Sequence, residues 1–249
     1  MEFVILGALC VIAMLYSSVG HGGASGYLAI LSLTVYGSMD SAWLKQHVWC
    51  LNLVVAAIAF YYYNKAGFHV FRLTFPFIVS SIPCAMIGGY LEINGSIYDV
   101  LLSITLVWAA YRLFSIKENG VGDDVNLPSF SIALPLGGII GFISGVVGVG
   151  GGIFLSPILL LKKWGSAKIV AATSALFIWV NSMSGIVGAG LSGQLIVEFE
   201  VVIPFAFSVL VGGIIGSRYG SKIASQLTIR RLLVVVLIIA AVKKIIEII

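Results

Sequence analysis

The sequence predicts an all-α polytopic membrane protein made of two inverted-topology repeats, each a glycine-broken helix pair followed by three transmembrane helices. Three observations carry that expectation. First, 60% of the 249 residues are hydrophobic and 10% are charged, with a mean hydropathy of +1.11. Soluble domains carry ~25% charged residues, and a fold of this size buries only about 70–75% of its chain surface. Second, two runs of 37 residues carry no Asp, Glu, Lys or Arg, one between Glu2 and Asp40 and one between Asp124 and Lys162. Third, the chain repeats itself. Val19-Gly20-His21-Gly22-Gly23 returns 128 residues later as Val147-Gly148-Val149-Gly150-Gly151, Pro76-Phe77 as Pro204-Phe205, and Ile87-Gly88 as Ile215-Gly216.

The elements follow in order. A helix crosses the hydrocarbon in about 20 residues, so a run of 37 is too long for one span and tight for two. Each run has a glycine cluster inside it. The reading is a longer helix, a break, and a shorter helix beginning near Ala24 in the first half and Ile153 in the second. Three ordinary spans come next, at 46–64, 73–91 and 97–115, and then at 169–190, 200–218 and 229–249. Residues 1–115 form the first repeat, 116–128 a polar linker punctuated by Gly, Asn, Asp and Pro, and 129–249 the second. The N-terminus lacks the basic segment of a signal peptide, so the first apolar run is expected to be retained. Gly137, Gly141 and Gly145, and again Gly212, Gly216 and Gly220, recur every four residues. Such small faces let helices associate in lipid.

Charge sets the orientation. With the linker cytoplasmic, segments 64–72, 112–128, 162–168 and 218–231 hold eleven of the fourteen basic residues. The positive-inside rule counts Lys and Arg, so both termini are expected outside and the two halves to be oppositely oriented. Inverted repeats of this kind mark transporters. The net charge of +4 is read as this loop bias rather than as a nucleic-acid surface.

The glycine clusters are the candidate site. Glycine lets backbone N–H groups approach a ligand, and a helix that starts inside the membrane points its positive dipole end at that ligand. Gly20, Gly22 and Gly23, with Gly148, Gly150, Gly151 and Gly152, are therefore read as a backbone anion site near the midplane. The alternative is that they only permit tight packing. His21 is either a structural hydrogen-bonder or a ligand contact and proton carrier. Ser25, Asn52, Thr173 and Ser174 are neutral donors able to complete the shell, and Gln46, His47 and Asn181 lie on the same spans. Lys45 and Lys168 occupy matched helix ends, where they either draw anions to a vestibule or snorkel to the headgroups. Cys10, Cys50 and Cys84 are apolar packing residues.

At these residues a resemblance becomes specific. Ser18-Val19-Gly20-His21-Gly22-Gly23, Val146-Val147-Gly148-Val149-Gly150-Gly151-Gly152 and Ala171-Ala172-Thr173-Ser174 resemble the sulfite exporter TauE/SafE family of membrane permeases. The likeness implies transport of sulfite, thiosulfate or organosulfonates such as sulfoacetate, in the cytoplasmic membrane of a bacterium or archaeon. The first half departs from the second in having His21 and Ala24 where the second has Val149 and Gly152.

The resulting expectation is a secondary carrier of small sulfur oxyanions working by alternating access, with a proton or sodium as possible coupling ion and no enzymatic activity. Its partners are the small anion and the lipid bilayer, with no nucleic acid. A channel for an anion or neutral solute is one rival. Another is a rhomboid-like intramembrane protease, because Gly23-Ala24-Ser25-Gly26 resembles its serine motif and Ser25 needs only a histidine. The repeat keeps the break but replaces Ser25 with Ile153, which favours a backbone role. No HExxH or Walker A motif is present, so neither metal nor nucleotide is expected as a cofactor. Single cysteines at positions 120 and 194 are expected to label from opposite sides of the membrane; labelling from one side refutes the topology.

Overall fold

The computed structural model describes residues 2–115 and 125–222. The expected last span, 229–249, and most of the linker lie outside the described residues. The elements are α1 (Glu2–Ser17), α2 (Ala24–Ser32), a 3-10 turn (Val35–Ser38), α3 (Ser41–Lys65), α4 (Phe71–Tyr90), α5 (Gly95–Ser115), α6 (Phe130–Val147), α7 (Gly152–Leu161), α8 (Ala167–Leu191) and α9 (Phe199–Lys222). All are helical, as the composition requires, and five of them, α3, α4, α6, α8 and α9, are long and apolar enough to cross a membrane. Both α3 and α8 stop at a glycine, Gly67 (φ 82°) and Gly193 (φ 73°). There the Phe68 N–H donates to the Tyr63 carbonyl (3.1 Å) and the Gln194 N–H to the Ala189 carbonyl (3.0 Å), satisfying last-turn carbonyls that lipid would leave unpaired.

The glycine stripes decide which helices pair. A Cβ on Gly212, Gly216 or Gly220 of α9 would strike the carbonyl of Cys10, Met14 or Ser18 on α1. A Cβ on Gly137, Gly141 or Gly145 of α6 would strike the backbone of Phe77, Ser81 or Ala85 on α4. In each pair both helices advance four residues together, so α1 runs parallel to α9 and α6 parallel to α4. The register is shared as well. Gly88 faces the Phe142 carbonyl and Gly216 faces that of Met14; Gly216 lies 128 residues after Gly88, and Phe142 lies 128 after Met14. About a quarter-turn round α9, Ile203, Phe207, Val211, Ile215 and Tyr219 are exposed at the same four-residue spacing, forming the lipid face. Helices α3 and α8 pack on each other and fill the centre.

The loops sort into two ends. At one, the Trp43 indole donates to Glu198 (3.0 Å), Lys45 donates to the Leu91 carbonyl (3.3 Å) and the Gln194 amide to the Tyr90 carbonyl (3.2 Å). Glu2 is here too: burial raises the Tyr36 hydroxyl pKa, and the Glu2 and Glu198 carboxylates raise it further. At the other end Lys168 lies over the Phe68 ring (4.9 Å), Arg218 over Tyr62 (6.0 Å), and the Asn126 amide donates to the Lys163 carbonyl (3.3 Å). The basic segments 64–72, 162–168 and 218–222 thus share one end.

Each broken pair is a hairpin with unequal arms. Helix α1 starts at the Glu2 end and runs deep, so that Tyr63, near the end of α3, donates to the Ser18 carbonyl (2.9 Å). The chain then turns back, Gly22 passes Asn52, and α2 returns to Tyr36. Helix α6 enters from the basic end and reaches Lys45, against which Gly148 packs. Gly150 then passes Asn52 and Ile178, and α7 returns to the basic end. Asn52 and Ile178 are each the twelfth residue of a 25-residue helix.

Gly216→Val should destabilise the protein by about 1–3 kcal/mol, since the backbone of α1 cannot recede. Gly190→Ala, where an added Cβ meets nothing within 4 Å, should stabilise α8 by roughly 0.5–1 kcal/mol. Melting in detergent checks both; equal melting temperatures for the two variants would contradict the stripe packing.

Candidate functional site

The two breaks meet at the middle of α3 and α8. A Cβ on Gly22 would lie 2.5 Å from Asn52 Oδ1 and 2.9 Å from Ile178. A Cβ on Gly150 would lie 2.8 Å from both the Asn52 amide nitrogen and Ile178. Gly152 packs on Ile178, and a Cβ there would lie 3.6 Å from His21 Cδ2. The half-helices α2 and α7 therefore both begin at this point, from opposite directions. Their N-caps, Gly23 (φ 104°) and Gly151 (φ 84°), are left-handed and carry no side-chain cap. Only glycine takes that conformation without strain. A residue with a capping side chain is excluded, so the first-turn N–H groups find no side-chain acceptor at either cap; the Phe154 N–H turns to the Gly151 carbonyl instead (3.0 Å).

A polar chain crosses the junction. His21 Nδ1 is 3.0 Å from the Val19 carbonyl, His21 Nε2 is 3.1 Å from Ser156 Oγ, and Ser156 Oγ is 2.6 Å from Ser174 Oγ. The Asn52 amide donates to Ser182 Oγ (3.2 Å), while its buried Oδ1 has no hydrogen-bond partner. Buried amide oxygens are nearly always paired, so this one marks a place for a further polar group. Of the candidates that the sequence singles out, His21, Gly22, Gly150, Gly152, Asn52 and Ser174 come together. Gly20 packs on the Ala171 backbone, Gly23 on Tyr27, Gly148 on Lys45 and Gly151 on Ser144 and Phe177, so these four shape the breaks. Ser25 pairs with the Tyr16 hydroxyl (2.8 Å) and Thr173 with Thr74 (3.2 Å). Ser156 and Ser182 join the site without having been singled out by sequence. Ser156 is the sole polar side chain in α7, and that isolation is the signal that points to it.

The lysines differ. Lys45 is 3% exposed and lies 5.8 Å from the Trp49 ring. It lines a cleft of about 830 Å³ with Asp40, Glu92, Asp99 and Gln194. Its ammonium donates to the Leu91 carbonyl just past the end of α4. Lys168 is half-buried at the opposite end. His47, placed by sequence at a span edge, is fully buried, because α3 begins at Ser41 rather than 46. It stacks on Trp43 (3.7 Å), its Nδ1–H donates to the Trp43 carbonyl (2.8 Å), and its Nε2 accepts from the Glu198 N–H (3.1 Å). His69 sits in the loop after α3 against Phe60, where burial lowers its pKa. Ser25 is bonded to a tyrosine and His47 to backbone on both nitrogens, which disfavours the protease reading.

A helical membrane bundle with two half-helices meeting at its centre is the architecture of a membrane transporter. The chain matches the sulfite exporter TauE/SafE family over residues 4–244 and belongs to that family. It is 33% identical to the probable membrane transporter protein y4hK of Sinorhizobium fredii over 240 residues, 95% of each chain. It is also 27% identical to the probable membrane transporter protein YunE of Bacillus subtilis, over 66% of this chain and 64% of that one. A probable membrane transporter protein of Methanocaldococcus jannaschii is 29% identical over 62% of this chain and 59% of its own. No solved structure matches.

Gln46 clamps the loop before α9: its amide donates to the Gln194 carbonyl (2.6 Å) and its oxygen accepts from the Ile196 N–H (2.7 Å). Gln46→Leu should cost about 1–3 kcal/mol by stranding these groups. Amide exchange in 192–198 should rise; unchanged protection there would show that the clamp is dispensable.

Proposed function

We propose that the chain is a secondary carrier of small sulfur-containing oxyanions or organosulfonates, such as sulfite, thiosulfate or sulfoacetate. It works by alternating access around a midplane site. The observation that carries this reading is the convergence of both glycine breaks on Asn52 and Ile178. Two half-helix N-termini face one spot without a nearby lysine or arginine in either 37-residue run. An oxyanion entering lipid depth must replace its water hydrogen bonds or lose several kcal/mol per group. First-turn N–H groups at 24–26 and 152–153, with the hydroxyls of Ser174 and Ser182, supply donors that bind without a fixed charge.

The repeat is read as inverted, with residues 1–115 and 129–249 as its halves. The hairpins entering from opposite ends and the 128-residue correspondence of Gly88 with Gly216 support it. The basic end is read as cytoplasmic, which puts the N-terminus, and by the same rule the C-terminus, outside. Lys168 draws anions at the inner end; Lys45 is the cation at the outer end, where Asp40, Glu92 and Asp99 share its cleft and oppose that attraction.

The test is flux through proteoliposomes. Saturable, mutually competing uptake of thiosulfate, sulfite and sulfoacetate is expected. Gly22→Val and Gly150→Val should each lower binding about tenfold or more, roughly 1.4 kcal/mol, in protein that still folds. Lys168→Gln should weaken apparent affinity modestly and in a salt-dependent way, Lys45→Gln with less dependence on salt. Normal flux in both glycine variants overturns the backbone site, and flux that never saturates identifies a channel.

A further inference from the structure

We propose that His21 is the proton-coupling group of this carrier, switching the direction of a hydroxyl chain that ends at the anion site. The inference rests on the transport reading above. Its basis is the donor logic of His21, Ser156 and Ser174. A carbonyl only accepts, so the Val19 carbonyl, 3.0 Å from Nδ1, fixes the ring hydrogen on Nδ1. In the neutral ring Nε2 must then accept. Ser156 O–H donates to it (3.1 Å), and Ser174 O–H donates to Ser156 Oγ (2.6 Å). Both hydroxyl hydrogens point toward the histidine.

A proton from water adds to the Nε2 lone pair, and no covalent bond within the protein breaks. Nε2–H now donates to Ser156 Oγ. Ser156 O–H must turn to Ser174 Oγ, and Ser174 O–H turns outward. One proton gained at the ring therefore presents one new donor at the other end of the chain, together with a positive charge in a low-dielectric setting. The protonated ring and a bound anion attract each other across that low-dielectric setting, so each favours the other. Linkage makes the effect reciprocal. Loss of the proton on the far side reverses the chain and releases the anion.

Two further observations fit this role. Residues 16–32 are all buried except His21, which is partly exposed, whereas 144–153 are buried throughout. His21 is thus the residue of this break that keeps exposed surface, and we take that surface as the proton's way in. The residues 128 positions from His21 and Ser156, Val149 and Leu28, are apolar and share one buried cluster, so the break of the other half has no matching histidine–serine pair. Around the ring, α1 presents Tyr16 edge-on at 6.4 Å, α7 Ser156, and α8 Ser174. On α8, one turn before the Ala171 that Gly20 touches, is Lys168, whose ammonium lies over Phe68. On α3, Asn52 is uncharged and Lys45 is bonded to Leu91.

The experiment uses the full chain in detergent, with thiosulfate as probe because its charge is constant between about pH 5 and pH 8, the range in which histidine titrates. Wild-type protein should take up about one proton per thiosulfate bound. Its affinity should fall up to about tenfold per pH unit above the ring's titration, because the bound state raises the ring's pKa. His21→Gln should bind weakly, with no proton uptake and a flat pH profile; Ser156→Ala should keep the titration but lose most of its coupling to binding. Proton uptake and pH slope surviving in His21→Gln overturn the proposal. If the wild type binds no thiosulfate, sulfite or sulfoacetate, the transport reading fails, and nitrogen NMR of the imidazole judges His21 separately. A ring that stays neutral down to about pH 5 excludes it as a proton carrier.

Discussion

Lipid offers no hydrogen bonds, and every irregular stretch of backbone at membrane depth must therefore be enclosed by protein. The segments between α1 and α2 and between α6 and α7 are such stretches, and the rest of the architecture surrounds them. Helices α3 and α8 stand at the centre because the breaks need walls on two sides. The Tyr63 hydroxyl reaches the Ser18 carbonyl for the same reason: that carbonyl has left its helix and has no water to turn to. The glycines that make the break possible thus impose the helix order around it.

Close packing then has to hold the enclosure together without a hydrophobic drive. Glycine faces on α6 and α9 let backbone meet backbone, where dispersion contacts are densest. Larger side chains are sent outward to lipid, as the exposed Phe207 and Ile215 beside the stripe of Gly212 and Gly216 illustrate. Backbone meets backbone where α1 joins α9 and where α4 joins α6 and α8, as at Gly188 against the Met86 carbonyl. Polar side chains gather between these contacts, where α3, α8 and the half-helices meet.

Much of this is legible in the chain. Helix limits expected at 73–91, 169–190 and 200–218 lie within a few residues of Phe71–Tyr90, Ala167–Leu191 and Phe199–Lys222. The breaks and the small faces can be read directly, because charge-free runs and four-residue glycine spacing are strong local signals. The start of α3 is misplaced by sequence because Lys45 looks like a boundary; a carbonyl and a tryptophan face take in its ammonium, so the helix runs through it. Which helices pair is not legible, since the stripes on α6 and α9 say that something approaches closely but not what. Ser156, Ser182 and Thr74 escape notice because a hydroxyl on an apolar helix has no periodic signature. Its partner lies on another segment, 135 residues away for Ser156 and His21.

The pairing of α1 with α9 has a consequence for how the molecule is made. The Ser208 hydroxyl that donates to the Leu6 carbonyl lies 202 residues further along. At a synthesis rate of about 5–20 residues per second, α1 waits on the order of ten to forty seconds in the bilayer before its partner leaves the ribosome. During that time its narrow face is open to whatever else is inserting. Helix α4 waits less than a third as long for α6. A chain cut short before Gly212 would hold a completed α4–α6 pair beside an orphaned first helix, which is the kind of defect that membrane quality control detects.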